Sequence, residues 1–207
     1  WVSSPILFFS QFFFGQTDIF TIFFTLVGLY CFLENKILYF AIFFGIASTF
    51  KYFPIFIFVP LLLFIEKSPI KLLKFLIIAM LPIGLEAFIY ISSSAFISGV
   101  IGFGIAAPRL FQALISIYPG ISFYLFPLIW FVICGICYYI DPSTDKAVFY
   151  QTSFYICLVV LSIFFILVFW HPQWLLFMTP FLAVNAFVNK RIKYFYQENR
   201  AVCWKLL

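Results

Sequence analysis

From Ile19 to Leu33 the chain runs without a single charged side chain, and runs of this kind recur along its whole length. A chain built this way cannot cover itself in water. Charged residues are only 9% of the sequence, against roughly 25% in soluble domains, and 66% of residues are hydrophobic. The solvent that suits such a surface is a bilayer. Inside a bilayer every backbone polar group needs an internal partner, which leaves helices or closed barrels. No alternating ten-residue strand pattern is present, so the sequence predicts an all-α, polytopic transmembrane helical bundle.

Cutting the chain at charges and prolines gives seven apolar segments, at 18–33, 37–50, 52–65, 70–91, 121–140, 147–169 and 173–188. The fourth, fifth and sixth reach the roughly 20 residues of a spanning helix. The second and third are short. Joined, they would form one long helix with Lys51 near its middle and Pro54 and Pro60 in its second half. A lysine at that depth costs a few kcal/mol on insertion scales. Two short helices meeting at Phe50-Lys51-Tyr52 avoid this cost and are the expectation.

Basic residues orient these segments. With the tail 189–207 in the cytoplasm, the inner side receives Lys36, Lys67, Lys71, Lys74, Lys146, Lys190, Arg191, Lys193, Arg200 and Lys205. The outer side keeps Lys51 and Arg109. This is a strong positive-inside distribution, so the net charge of +5 reports topology and not a nucleic-acid partner. The basic stretch Glu66–Lys74 is expected to anchor to anionic head groups. The turn Asp141–Lys146 carries no chemistry, and the long connection 92–120 is an outer loop. The chain starts at Trp1 with no charged leader, which predicts a piece of a larger membrane protein lacking its N-terminal helices. Cys134 and Cys137 have CxxC spacing without a second pair, and read as packing residues.

On the predicted outer side four polar clusters gather: Gln16 with Asp18, Lys51, Arg109, and His171 with Gln173. Lysine and arginine together suit a phosphate, and a carboxylate or imidazole can orient or deprotonate a hydroxyl. Each residue also has an ordinary role. Asp18 can cap the helix starting at Ile19, Lys51 can snorkel, Arg109 can be a loop arginine, and His171 can belong to an interfacial belt. Glu86 is the exception to the uncharged interiors, and is placed near mid-membrane.

Phe14-Gly15-Gln16-Thr17-Asp18, then an apolar span, then Gly45-Ile46-Ala47-Ser48-Thr49-Phe50-Lys51 and a run broken by Pro60, resembles the middle of GT-C-type integral-membrane glycosyltransferases. The bacterial polyprenyl-phosphate-dependent mannosyltransferase-like proteins are among them. His171-Pro172-Gln173-Trp174 ahead of Pro180 is similar to a late luminal turn of that family. The resemblance covers about 12–188 and implies the family's C-terminal portion. It implies transfer of a sugar from a polyprenyl-phosphate-type lipid donor to a saccharide or lipid acceptor, on the non-cytoplasmic face of a bacterial plasma membrane. Nothing in the sequence calls for a metal or other cofactor, since a DxD motif is absent and no acidic pair replaces it. Lys51 and Arg109 would take the donor phosphate, and Gln16, Asp18, His171 and Gln173 would line the cavity. Asp18 is the acidic candidate for catalysis in this stretch. The family's usual base lies in an earlier loop, which would belong to the remainder of the polypeptide. The rival expectations are a transporter or flippase of lipid-linked saccharides and a non-catalytic membrane subunit.

Overall fold

A computed structural model describes residues 18–101, 114–118, 121–168 and 176–188. The described residues are mostly helical. In order, the main elements are α1 (Asp18–Leu33), α2 (Ile37–Phe50), α3 (Phe53–Ile65), α4 (Pro69–Tyr90), strands β1 (Leu114–Tyr118) and β2 (Ile121–Tyr124), then α5 (Leu125–Tyr139), α6 (Lys146–Leu167) and α7 (Met178–Val188). A short helical turn at Ser94–Phe96 runs into a π-helical turn at Ile97–Ile101.

Residues 37–65 form two helices, as the position of Lys51 requires. Lys51 leaves the helical region, with φ −153° and ψ 140°, and ends α2. Pro54 then falls in the first turn of α3, where its missing N–H removes no intrahelical bond. Pro60 lies inside α3 and has no N–H for the carbonyl of Phe56 four residues earlier. The indole Nε1–H of Trp130 on α5 donates to that carbonyl at 2.9 Å. The proline thus creates an acceptor, and a side chain from another helix satisfies it.

Asn35 turns the chain between α1 and α2, with φ 59°. Asparagine tolerates this left-handed conformation better than most residues. The Lys36 N–H bonds Cys31 O at 2.8 Å and the Asn35 N–H bonds Phe32 O at 2.9 Å, which closes the end of α1. Two glycines allow helices to meet closely. A Cβ at Gly28 of α1 would lie 2.6 Å from the Phe44 ring of α2, and one at Gly45 of α2 would run into the Ala79 carbonyl oxygen of α4. A phenylalanine-rich core fills the interior around α3, with Phe40, Phe44, Phe58 and Phe64 buried.

Two ends can be told apart. At one, Lys67 after α3 reaches carbonyl oxygens of Leu63, Cys137 and Ile140, which joins the ends of α3 and α5. Phe149 near the start of α6 stacks on Phe32 and Phe64. Leu33, Asn35, Ile65, Ser143 and Lys146 share one shallow cavity there. At the other end Asp18 meets Lys51, and Phe53 packs on Phe164 and Phe177. The Lys36, Lys67 and Lys146 turns therefore share one end, and the Lys51 turn lies at the other.

Two expectations change. The segment 121–140 is not one long helix. Its first four residues pair with Leu114–Tyr118 as an antiparallel hairpin, leaving α5 with 15 residues. The connection 92–120 contains the Ser94–Ile101 turns and β1, so it is partly structured. Glu86 lies on α4, four residues before its end at Tyr90. Among the described residues only α4 and α6, with 22 residues each, are long and apolar enough by themselves to cross a membrane.

Candidate functional site

The Lys51 end holds the most unusual electrostatics among the described residues. Asp18 opens α1, and its side chain is completely buried. Its Oδ1 lies 3.2 Å from Nζ of Lys51, whose side chain keeps 23% of its exposure. The cation thus faces outward and the anion is sealed behind it. The sequence expectation that Asp18 caps α1 is not what the structure shows. Neither carboxylate oxygen accepts a hydrogen bond from a backbone N–H of its own first turn, and neither has an aligned donor among the described residues. A bare buried carboxylate is costly, and the nearby ammonium is what offsets that cost.

Helical spacing brings further polar groups to the same face. Thr21 and Thr25 follow Asp18 at i+3 and i+7, and both are buried. Thr25 Oγ1 donates to Thr21 O at 2.7 Å, a bond within its own helix. Ser48 of α2 does likewise, donating to Phe44 O at 2.8 Å. Thr21 Oγ1 is different: it is buried and has no hydrogen-bond partner among the described residues. The wall behind Lys51 therefore combines an ion pair with unused hydrogen-bonding capacity, which a packed apolar core does not carry. Tyr52, in the turn after Lys51, has its phenol pushed up to about 12 by burial. It stays a neutral hydroxyl at physiological pH.

Of the residues singled out in the sequence, the structure brings Asp18 and Lys51 together. Gln16, Arg109, His171 and Gln173 lie outside the described residues, as do 1–17 and the tail 189–207. Phe164 and Phe177, whose positions flank 169–175 in the chain, both pack on Phe53 beside Lys51. Thr21 was missed by sequence reasoning. Its signal was available, as a hydroxyl one turn after a carboxylate on an otherwise apolar helix. Among the described residues no cluster of His, Cys, Asp or Glu side chains could hold a metal ion. Cys31, Cys134, Cys137 and Cys157 are free and buried.

As arranged, Asp18 fixes the position of Lys51, and Lys51 is the more exposed member of the pair. An ammonium held this way suits an anionic group such as a phosphate, with hydroxyls of the same ligand seeking acceptors nearby. No family model, curated protein or solved structure matches this chain.

Proposed function

We propose that the chain is a polytopic membrane domain of about seven segments, and that its Lys51 end handles a lipid-linked sugar phosphate on the non-cytoplasmic face. In this reading it is the C-terminal portion of a GT-C-type glycosyltransferase. A sugar passes from a polyprenyl-phosphate-type donor to a saccharide or lipid acceptor. Lys51 holds the donor phosphate and Asp18 holds Lys51. Arg109, Gln16, His171 and Gln173 belong to the same side by sequence.

The observation that carries the reading is the sealed Asp18–Lys51 pair at the end opposite Lys36, Lys67, Lys71, Lys74 and Lys146. Positive side chains favour the cytoplasmic face, which supports assigning the pair to the other one. The exterior supports a lipid setting. Phe88 and Ile70 are each 80% exposed and Ile166 is 76% exposed, on helices with no covering layer among the described residues. The short helices α1, α2 and α3 are about 20–24 Å long at 1.5 Å per residue. They fit a bilayer only with protein neighbours or local thinning.

A second reading has its own observation. On α4 only Ala79 is buried, so most of that helix is open to lipid or to another protein. This favours a subunit that packs against a partner.

The test uses the full chain in membrane vesicles with a radiolabelled polyprenyl-phosphate hexose. Transfer that falls by about 100-fold in Lys51→Ala, with unchanged expression, and partly returns in Lys51→Arg, supports the enzyme. Movement of the lipid across the bilayer without transfer supports a flippase. Neither activity at any protein concentration supports the non-catalytic subunit.

A further inference from the structure

At the Lys67 end three helix ends border one cavity. Leu33 ends α1, Ile65 ends α3 and Lys146 opens α6. With the turn before α6 they line a space of about 370 Å³, within the range of small-molecule sites. Its floor is apolar, made by the half-buried Leu33, Ile65 and Phe149. The Phe149 ring is set there by stacking on Phe32 and Phe64, with centroids 5.6 and 5.9 Å away. Its rim is polar, made by Asn35, Ser143, Thr144, Lys146 and Tyr150. A connection that reads in sequence as a plain turn thus supplies much of a two-sided wall.

The rim is a set of donors. Each of its five polar side chains can donate a hydrogen bond, and no carboxylate lines the cavity. Ser143 Oγ accepts the Asp145 N–H at 3.2 Å, which leaves the serine's own proton to donate. The acids nearest in the chain act elsewhere. Asp145 caps α6, accepting the Ala147 N–H at 2.8 Å. Burial lowers the Lys67 pKa and Asp141 opposes this, so the Asp141 charge acts on Lys67. Glu34 stands outside the lining. Lys67 has its three donors on carbonyls, whereas the Lys146 ammonium has neither an ion pair nor a hydrogen bond among the described residues. A cation among neutral donors suits an anion that only accepts, and a phosphate diester is such a group.

Depth selects the source of that phosphate. The floor belongs to the last apolar turns of α1 and α3, and the rim lies where those helices have ended. An occupant therefore has one side against apolar helix ends and the other among donors. A phospholipid at a membrane surface presents its groups in this order, whereas a free phosphate ester leaves the floor unused. We propose that the cavity binds the head group of an anionic phospholipid. The phosphate sits on Lys146 and the rim hydroxyls, and the glycerol and first acyl carbons lie against Leu33, Ile65 and Phe149. This rests on the membrane setting of the chain and is independent of the lipid-linked-sugar reading, which concerns the opposite end.

The test uses the full chain in phosphatidylcholine vesicles doped with a photoactivatable phosphatidylglycerol. Cross-links are expected in 142–150, suppressed by added phosphatidylglycerol and not by more phosphatidylcholine. Lys146→Gln should lower this labelling about 5-fold, the loss of one lysine's attraction at the surface. Thr144→Val and Tyr150→Phe, which keep charge and shape, should each lower it about 2-fold. Lys74→Gln, at the same end but outside the cavity, should leave it unchanged. Equal losses in Lys74→Gln and Lys146→Gln, with none in Thr144→Val or Tyr150→Phe, mean a general surface attraction and overturn the site. Suppression by soluble glycerol 3-phosphate as strong as by the lipid makes the ligand a free phosphate ester and overturns the lipid assignment. Cross-links confined to other segments overturn both.

Discussion

Lys51 and Lys67 sit at opposite ends of α3 and are held by opposite means. The ammonium of Lys67 donates to Leu63 O at 2.9 Å, Cys137 O at 3.0 Å and Ile140 O at 2.9 Å. A lysine has three donors, and these three bonds use them all. The acceptors are carbonyls at helix C-termini, where a cation is favourable both for its hydrogen bonds and for the helix dipole. The Tyr138 ring lies 5.4 Å from the same ammonium, and its hydroxyl donates to Lys67 O at 3.3 Å. Burial lowers the Lys67 pKa, with Asp141 acting against that. Lys51, by contrast, is set against a carboxylate with no exposed surface and spare acceptor capacity. One end is closed by its own backbone. The other is held by a charge pair whose buried carboxylate has no aligned hydrogen-bond donor among the described residues. That contrast locates the candidate site, because closing two helix ends with a lysine completes a structure and leaves nothing over for a ligand.

The contrast breaks most visibly at Lys51. Lys51→Ala leaves the Asp18 carboxylate buried without its counter-ion, and losing one partner of a buried pair costs about 3–5 kcal/mol. Asp18→Asn should cost less, because the partly exposed Lys51 ammonium can turn toward water or head groups. Asp18→Asn/Lys51→Met should recover part of the loss. The measurement is the temperature at which buried Cys157 becomes reactive to a fluorogenic maleimide in detergent. If Lys51→Ala unfolds at the parent temperature, the pair does not hold this end together.

At the other end the expected effect is smaller. Lys67→Met removes three hydrogen bonds, but its carbonyls lie at the edge of the helices and can bond water instead. The net loss should be about 1–2 kcal/mol by the same thermal assay. Lys67→Arg should keep most of the stability, since a guanidinium can also donate to clustered carbonyls. A loss at Lys67 as large as at Lys51 would erase the distinction between the two ends.

Much of this was legible where a charge interrupts an apolar run. The bounds of α1 and α2 fall where the sequence places them, and Lys51 marks the break before α3. The side shared by Lys36, Lys67 and Lys146 also follows from charge alone. What depended on residues far apart in the chain was not legible. Lys67 reads in sequence as one of several head-group lysines, because nothing local reveals that Cys137 and Ile140, some 70 residues on, end beside it. The Trp130 bond to Phe56 O is hidden for the same reason, although Pro60 announces that an acceptor is left open. The hairpin ahead of α5 escaped because Ile121–Tyr124 is as apolar as the helix that follows. Asp18 was readable as a first-turn acid. That it pairs with Lys51 and does not cap its helix required the α1–α2 packing set by Gly28 and Phe44.

The finest probe of the contrast is Glu66, beside Lys67. Its Oε1 accepts the Ser68 N–H at 3.0 Å, and Oε2 lies 3.4 Å from Lys71 Nζ. The backbone hydrogen bond holds its carboxyl below the usual glutamate range, with Lys71 adding to this and burial opposing it. A carboxyl whose pKa is depressed by folding contributes stability above its unfolded pKa. That contribution is lost as the pH falls through the folded value. Lys71 is 64% exposed, so solvent screens its share and the whole contribution should be only about 0.5 kcal/mol. Thermal midpoints recorded from about pH 6 down to pH 3 should therefore fall slightly more in the parent than in Glu66→Gln. Lys71→Ala should keep most of that difference, because the Ser68 bond is the larger cause. Identical pH profiles for parent and Glu66→Gln would mean that this turn, like the Lys67 clamp beside it, is held by backbone carbonyls alone.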